Sequence, residues 1–430
     1  MDLWPLLVFL VLLALNAPVA IAIGAGSLMF FIDQQGLPMT ILTQRLMSSS
    51  DSFPLLAIPM FTLAGVIMNH SGITKRLLNL AETLVGHMRG GLAQTNVVLA
   101  TLMGFESGSG NADAAMQSKM LGTEMIRRGY HPPFAAAVVA ASAVITPIVP
   151  PGLGFVIYGY LASVSVGRLF LAGLVPGVML MTALMLVIRY LSIRRGYTPV
   201  RPGMASFMDI MRAVRHAAWA LTVPIVVIFG LRDGFFTPTE AGAVIAIYSL
   251  FVGFVIYREL KLSMLMPIIT EAALATATVM FIITAADSFG FYMTMERIAA
   301  RTAEALTTLT TNPLLMLMII NAFLLLLGML LESVAALILM TPILAPIGAQ
   351  LGIDPVHLGL LIVLNLTIGA ITPPVGTLMF IACGVLRVSI ADYARAVLPL
   401  LAAEVLVLAL LIVFPALCLT IPNWVLGVGR

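Results

Sequence analysis

The sequence predicts an all-α polytopic membrane protein made of two inverted repeats, each with a re-entrant helical hairpin and a Pro-Pro-interrupted transmembrane helix. Three observations point there. The 430 residues are 61% hydrophobic and 10% charged, with a mean hydropathy of +1.09, far from the about 45–50% apolar and about 25% charged residues of soluble domains. Two segments, ITPIVPPG at Ile145 to Gly152 and GAITPPVG at Gly369 to Gly376, interrupt long apolar runs. Paired prolines remove backbone donors and the glycines relax the chain, so a helix breaks there; in hydrocarbon such a break persists only inside protein or beside a polar cavity. Finally, Pro150/Pro373, Pro151/Pro374, Gly129/Gly352, Pro132/Pro355 and Pro176/Pro399 share an offset of 223, and Glu106-Ser107 matches Glu332-Ser333 at 226. Interrupted segments at corresponding places in two halves point to the binding site of a secondary transporter.

A spanning helix needs about 20 apolar residues. In chain order, crossings are expected near 5–32, 53–70, 134–166, 169–190, 217–231, 238–257, 264–286, 358–386 and 396–420, the third and eighth carrying the breaks. The stretches 92–126 and 312–348 are apolar but interrupted midway by small and polar residues, the pattern of a hairpin that enters and leaves on one side. Residues 1–190 then form the first repeat, 191–232 a cytoplasmic connector and linking helix, and 233–430 the second repeat. Amphipathic stretches at 72–91 and 294–311 precede the hairpins and read as interfacial helices, either joining a moving part to a fixed one or lying passively on the surface.

With a cytoplasmic N-terminus, only Arg45, Arg168, Arg232, Arg297, Arg301 and Arg430 of the 22 Lys and Arg residues fall outside. The positive-inside rule therefore supports that orientation, with the C-terminus outside near Trp424. The first apolar run is too long for a signal-peptide core. Cys383 and Cys418 lie in apolar segments, which argues against a disulfide framework, and no basic arm for nucleic acid is present.

The first hairpin tip reads Ser107-Gly108-Ser109-Gly110-Asn111. Small residues permit an unwound turn whose carbonyls, with Ser and Asn oxygens, suit a hard cation, while a half-helix starting after the turn aims its positive dipole end at an anion. Thr146 to Gly152, with Val149 and Pro150, would face it. The second tip, Glu332-Ser333, would face Gly369, Thr372, Pro373, Gly376 and Thr377. Taken singly, such small polar residues more often serve helix packing; grouped at a tip opposite a break, they read as a site. Glu106, Asp113 and Glu332 are carboxylates at membrane depth, where they are costly and usually functional, the other reading being a place at the hairpin mouth or a structural pair. Glu240, Glu271 and Glu404 receive no role. There is no phosphate-binding loop, His-Glu-x-x-His run or Gly-x-Ser-x-Gly elbow, and the five histidines lack metal spacing. An ion gradient or a partner must then supply the energy for uphill movement.

Phe236-Thr237-Pro238-Thr239-Glu240-Ala241, Gly328-Met329 with Glu332, Thr341-Pro342-Ile343-Leu344, Gly352 to His357 and Ile371 to Gly376 together resemble the large membrane subunit of tripartite ATP-independent periplasmic (TRAP) transporters. The resemblance spans essentially the whole chain. It implies the ion-transporter superfamily fold, an elevator motion, and sodium-driven import of an organic acid such as a C4-dicarboxylate or sialic acid. It also implies a bacterial inner-membrane location and two partners, a small four-helix membrane subunit and a periplasmic substrate-binding protein. Carried onto this chain, one sodium site would use Glu106, Ser107, Gly108, Ser109, Thr146, Val149 and Gly152, and a second Glu332, Ser333, Gly369, Thr372 and Gly376. The anion would meet Ser109, Gly110, Asn111, Thr146, Pro150, Gly152, Ser333, Thr372, Pro373 and Thr377. The chain departs from a Ser-Gly-Ser-Ser-type family pattern in its first tip, Ser107-Gly108-Ser109-Gly110-Asn111 followed by Asp113, and in Glu332, where Asp is common. Rival readings are a gated channel, which would show no counterflow, a stand-alone symporter without a binding protein, and an intramembrane enzyme, disfavoured by the missing motifs.

Overall fold

A computed structural model describes residues 3–15, 17–34, 37–48 and 52–427 of the chain; Arg430 lies outside them. Among the described residues the regular structure is entirely helical, and eight helices are long and apolar enough to cross a membrane.

The single crossing expected over 5–32 is instead two helices, α1 (Trp4–Ala14) and α2 (Val19–Asp33), packed against each other. Pro18 precedes α2 with ψ 135°, outside the helical region, so the chain turns inside what the sequence offered as one apolar crossing. At 11 and 15 residues they measure about 16 and 22 Å, short of the roughly 30 Å hydrocarbon core. A helix with no counterpart in the expected set, α3 (Met39–Ser48), follows.

A short 3₁₀ turn leads into α4 (Ala57–His70), and α5 (Ile73–Val85) is the first amphipathic helix. The first hairpin comprises α6 (Gly91–Gly104) and α7 (Gly110–Gln117), continued by a π-turn at Ser118–Gly122 and α8 (Thr123–Arg127). The interrupted helix follows as α9 (Pro132–Ala143) and α10 (Leu153–Leu161). Next come α11 (Val166–Arg195), which runs past the boundary expected at 190, and α12 (Phe207–Arg232), which starts ten residues before the crossing expected at 217–231. Ser206 and Asp209 fix that earlier start as a reciprocal capping box.

The second half opens with α13 (Pro238–Phe251). Here the Thr237-Pro238-Thr239-Glu240 motif is another capping box: Glu240 N–H donates to Thr237 Oγ1 at 3.4 Å, and Thr237 N–H to Glu240 Oε2 at 2.7 Å. Then follow α14 (Leu262–Met295), α15 (Ile298–Leu309), and the second hairpin, α16 (Pro313–Leu330) and α17 (Ser333–Gln350), turning at 331–332. The second interrupted helix is α18 (Pro355–Gly369) and α19 (Thr377–Leu386). The last expected crossing, 396–420, is divided between α20 (Ile390–Val413) and α21 (Ala416–Leu426), separated at Pro415, which cannot donate to the helical ladder.

Pro132 and Pro355, which share the offset of 223, each begin a helix, where a proline's missing donor costs nothing. Helices α9 and α18, the first halves of the two interrupted helices, are buried along nearly their whole length and so run through protein rather than lipid. The halves interlock there. Helix α19 packs on α7 and α9, α10 packs on α17 and α18, and α20 packs on α9 and α11. Helices α2, α4, α13 and α14 form a second group, with α4 between α13 and α14, which meets the first through α14 on α17 and α4 on α10.

Candidate functional site

At the first tip the chain leaves α6 and turns through Gly108, whose φ of +56° is left-handed. A Cβ on Gly108 would lie 2.4 Å from Pro151 O, so the tip can seat against the break only with glycine there. Ser109 caps α7, its Oγ accepting from Ala112 N–H at 3.5 Å. Asp113, fully buried one turn into α7, then reaches both segments. Ser107 Oγ donates to its Oδ1 at 2.8 Å and Thr146 Oγ donates to its Oδ2 at 2.8 Å. One carboxylate thus ties the tip to the break.

At the second tip Glu332 occupies the cap position, its Oε2 accepting from Ala335 N–H at 3.0 Å. Ser333 Oγ donates to Leu366 O at 3.2 Å and Thr372 Oγ1 to Ile368 O at 2.9 Å. The hydroxyls here bond backbone carbonyls; the position matching Asp113 at the 226 offset is Leu339. At both breaks the Pro-Pro peptide bond, Pro150-Pro151 and Pro373-Pro374, is cis.

The tips converge on a cavity of about 80 Å³, lined among others by Ser109, Asn111, Pro147, Glu332, Ser333 and Leu378. The first residues of α7, α10 and α17 all reach it, so three helix N-termini point positive dipole ends at one space. A larger cavity of about 1010 Å³ opens from Ser107, Asn111 and Glu332 toward α2, α4 and α14. Neither cavity has a Lys or Arg among its lining residues. Glu271 lines the larger one and pairs with His70 at 3.2 Å.

Of the expected anion contacts, Ser109, Gly110, Asn111 and Ser333 line the small cavity, and Thr377 bonds Asn111 from behind. Thr146, Pro150, Gly152, Thr372 and Pro373 line neither cavity and sit behind the tips in the breaks. Among the expected cation contacts, Val149 packs on Gly104, and Gly369 packs on Gly328 and Gly376 on Ala370 O. Glu106 is set apart. Its carboxylate turns toward α5, where Thr74 Oγ1 donates to Oε2 at 3.3 Å. Asp113 is the carboxylate that joins the tip to the break, a role that its cost at membrane depth flagged without locating.

From residue 6 to 417 the chain matches the family described as the tripartite ATP-independent periplasmic transporter, DctM component. The chain belongs to this family. It is 38% identical over 419 residues to the sialic acid TRAP transporter large permease protein SiaM of Vibrio cholerae, covering 97% of this chain and 98% of that one. It is 39% identical over 410 residues to the isethionate TRAP transporter permease protein DctMQ of Oleidesulfovibrio alaskensis, covering 95% of this chain and 64% of that longer protein. Among solved structures, the Alcanivorax borkumensis YdaH transporter superposes with a TM-score of 0.70 at 16% identity, over 99% of this chain and 100% of that one. At such identity the likeness concerns the fold alone. This DctM-family chain is a multi-pass membrane protein and a transporter component, not an enzyme.

Proposed function

We propose that the chain is the permease of a sodium-coupled importer of small organic-acid anions, of the C4-dicarboxylate or sialic-acid kind. A small four-helix membrane subunit completes it, and a periplasmic binding protein delivers the substrate. The observation that carries this reading is the small cavity where both hairpin tips meet, walled by helix N-termini and free of Lys and Arg. Backbone N–H groups with Ser109, Asn111 and Ser333 suit a carboxylate there without a cationic side chain.

Sodium fits the donor set behind the tips. The hydroxyls of Ser107 and Thr146 and the Pro151 carbonyl beside Gly108 are hard oxygens, with the Asp113 carboxylate bonded behind the two hydroxyls, and Ser333, Thr372 and nearby carbonyls make a neutral second set. Each ion would steady a tip and thereby the anion cavity, so sodium and anion would strengthen each other's binding. In this reading the two halves are inverted repeats. The hairpins and interrupted helices move as an elevator against the group around α4, α13 and α14, in the inner membrane, with the N-terminus cytoplasmic and the C-terminus periplasmic.

Uptake of labelled succinate and sialic acid into liposomes tests it, with the small subunit and binding protein co-reconstituted and an inward sodium gradient imposed or withheld. Accumulation that needs both sodium and the binding protein is expected. Flow that ignores sodium and never exceeds equilibrium would replace the importer with a channel.

A further inference from the structure

The two tips are built differently around their hydroxyls, and the difference assigns a part to Asp113. At the second tip both hydroxyls spend their protons on backbone carbonyls of α18. At the first, Ser107 and Thr146 both give theirs to one fully buried side chain. When ionised, this carboxylate only accepts, and it then sets where both protons lie. Thr146 Oγ1 is 2.8 Å from Asp113 Oδ2 but 3.4 Å from its alternative acceptor, Ala100 O, and its lone pairs stay free. Ser107 Oγ accepts weakly from Ser109 N–H at 3.3 Å and keeps one lone pair. Asp113 itself lines neither cavity.

We propose that Asp113 is a positioning residue for the first cation site: it points the protons of Ser107 and Thr146 toward itself, leaves their lone pairs for a monovalent cation, and supplies the fixed negative charge behind them. Each of its oxygens already accepts one hydroxyl proton, and its part is played through those two hydroxyls. This rests on the sodium-coupled reading above. An amide at 113 would keep the shape but present an N–H₂ group to one hydroxyl, reversing that bond, consuming a lone pair and deleting the charge. Groups that orient a metal's ligands by hydrogen bonding commonly alter its affinity by about 10–100-fold.

The test is sodium-dependent thermal stabilisation of the purified full-length chain, with choline replacing sodium at constant ionic strength and succinate uptake run in parallel. Wild type should melt higher as sodium rises. Asp113→Asn should melt close to wild type in choline, while its sodium midpoint rises by about tenfold or more; Asp113→Glu should recover part of that loss. A merely structural clamp predicts the opposite: Asp113→Asn would melt lower by the same margin at every sodium concentration, with an unchanged midpoint, and that result overturns the proposal. Should Asp113→Asn not fold, Thr146→Ser and Thr146→Val replace it. Ser keeps the oriented hydroxyl and the midpoint, Val loses both, and equal midpoints overturn the proposal. If sodium neither stabilises wild type nor drives its uptake, the sodium-coupled reading fails first, and the assignment of Asp113 falls with it.

Discussion

Thr377, the first residue of α19, donates its hydroxyl to Asn111 Oδ1 on α7 at 3.5 Å, joining the second break to the first tip across 266 residues of chain. Asn111 lines both cavities, so it faces the proposed anion with its amide held from behind. Asn111→Ala removes a polar contact to substrate without touching the hydroxyls of Ser107 or Thr146. It should raise the KM for anion uptake by about tenfold, the worth of one hydrogen bond of about 1.4 kcal/mol. The sodium midpoint for thermal stabilisation without substrate should not move.

Glu106 and Asp113 lie on one tip and are both buried, yet they face opposite ways. Glu106 accepts one hydroxyl bond from Thr74 on α5, and its Oε1 has no partner. Its main chain also lies against α4, where a Cβ at Gly65 would be 3.2 Å from Glu106 O. Glu106 thus anchors the tip to α4 and α5, away from the cation site. Glu106→Gln, which keeps the shape and can still bond Thr74, should leave the sodium midpoint unchanged. A sodium titration that moves tenfold in this variant would make Glu106 a ligand after all.

The breaks were legible in the sequence because proline and glycine carry their backbone consequences with them, wherever they sit. The turn between α1 and α2 was not, because Pro18 is flanked on both sides by long apolar runs, and mean hydropathy measures transfer to lipid rather than direction of travel. Cost at membrane depth marked Glu106 and Asp113 equally. Which of them meets the break depends on the left-handed turn at Gly108, a matter of three-dimensional geometry that no residue type announces. Glu240 stood in the motif that carried the family resemblance, yet its work is to cap α13.

Behind the second tip, α16 and α18 touch at two glycines. A Cβ on Gly369 would lie 2.6 Å from Gly328 Cα, closer than side-chain carbons come to backbone. Gly369→Ala must push α16 away from the break, at a cost of about 1–3 kcal/mol by the measure of overpacked cores. A lower melting temperature is expected with and without sodium alike. An undiminished melting temperature would mean that this contact opens without penalty.

Tyr393 reaches from α20 to the second break, where its hydroxyl donates to Ile371 O at 3.1 Å, and the side chain is fully buried. Ile371 immediately precedes Thr372, so this bond holds the carbonyl next to the proposed second cation contact. Tyr393→Phe keeps the ring packing and deletes only the donor, leaving a buried carbonyl without it at a cost of about 1–3 kcal/mol. Part of that cost should appear as coupling: with the Ile371 carbonyl released, the backbone around Thr372 is less fixed before the ion arrives. Tyr393→Phe should therefore weaken sodium stabilisation in a background where the first site is already disabled by Thr146→Val. If sodium stabilises the double variant as well as it does Thr146→Val alone, Tyr393 supports the fold and not the second site.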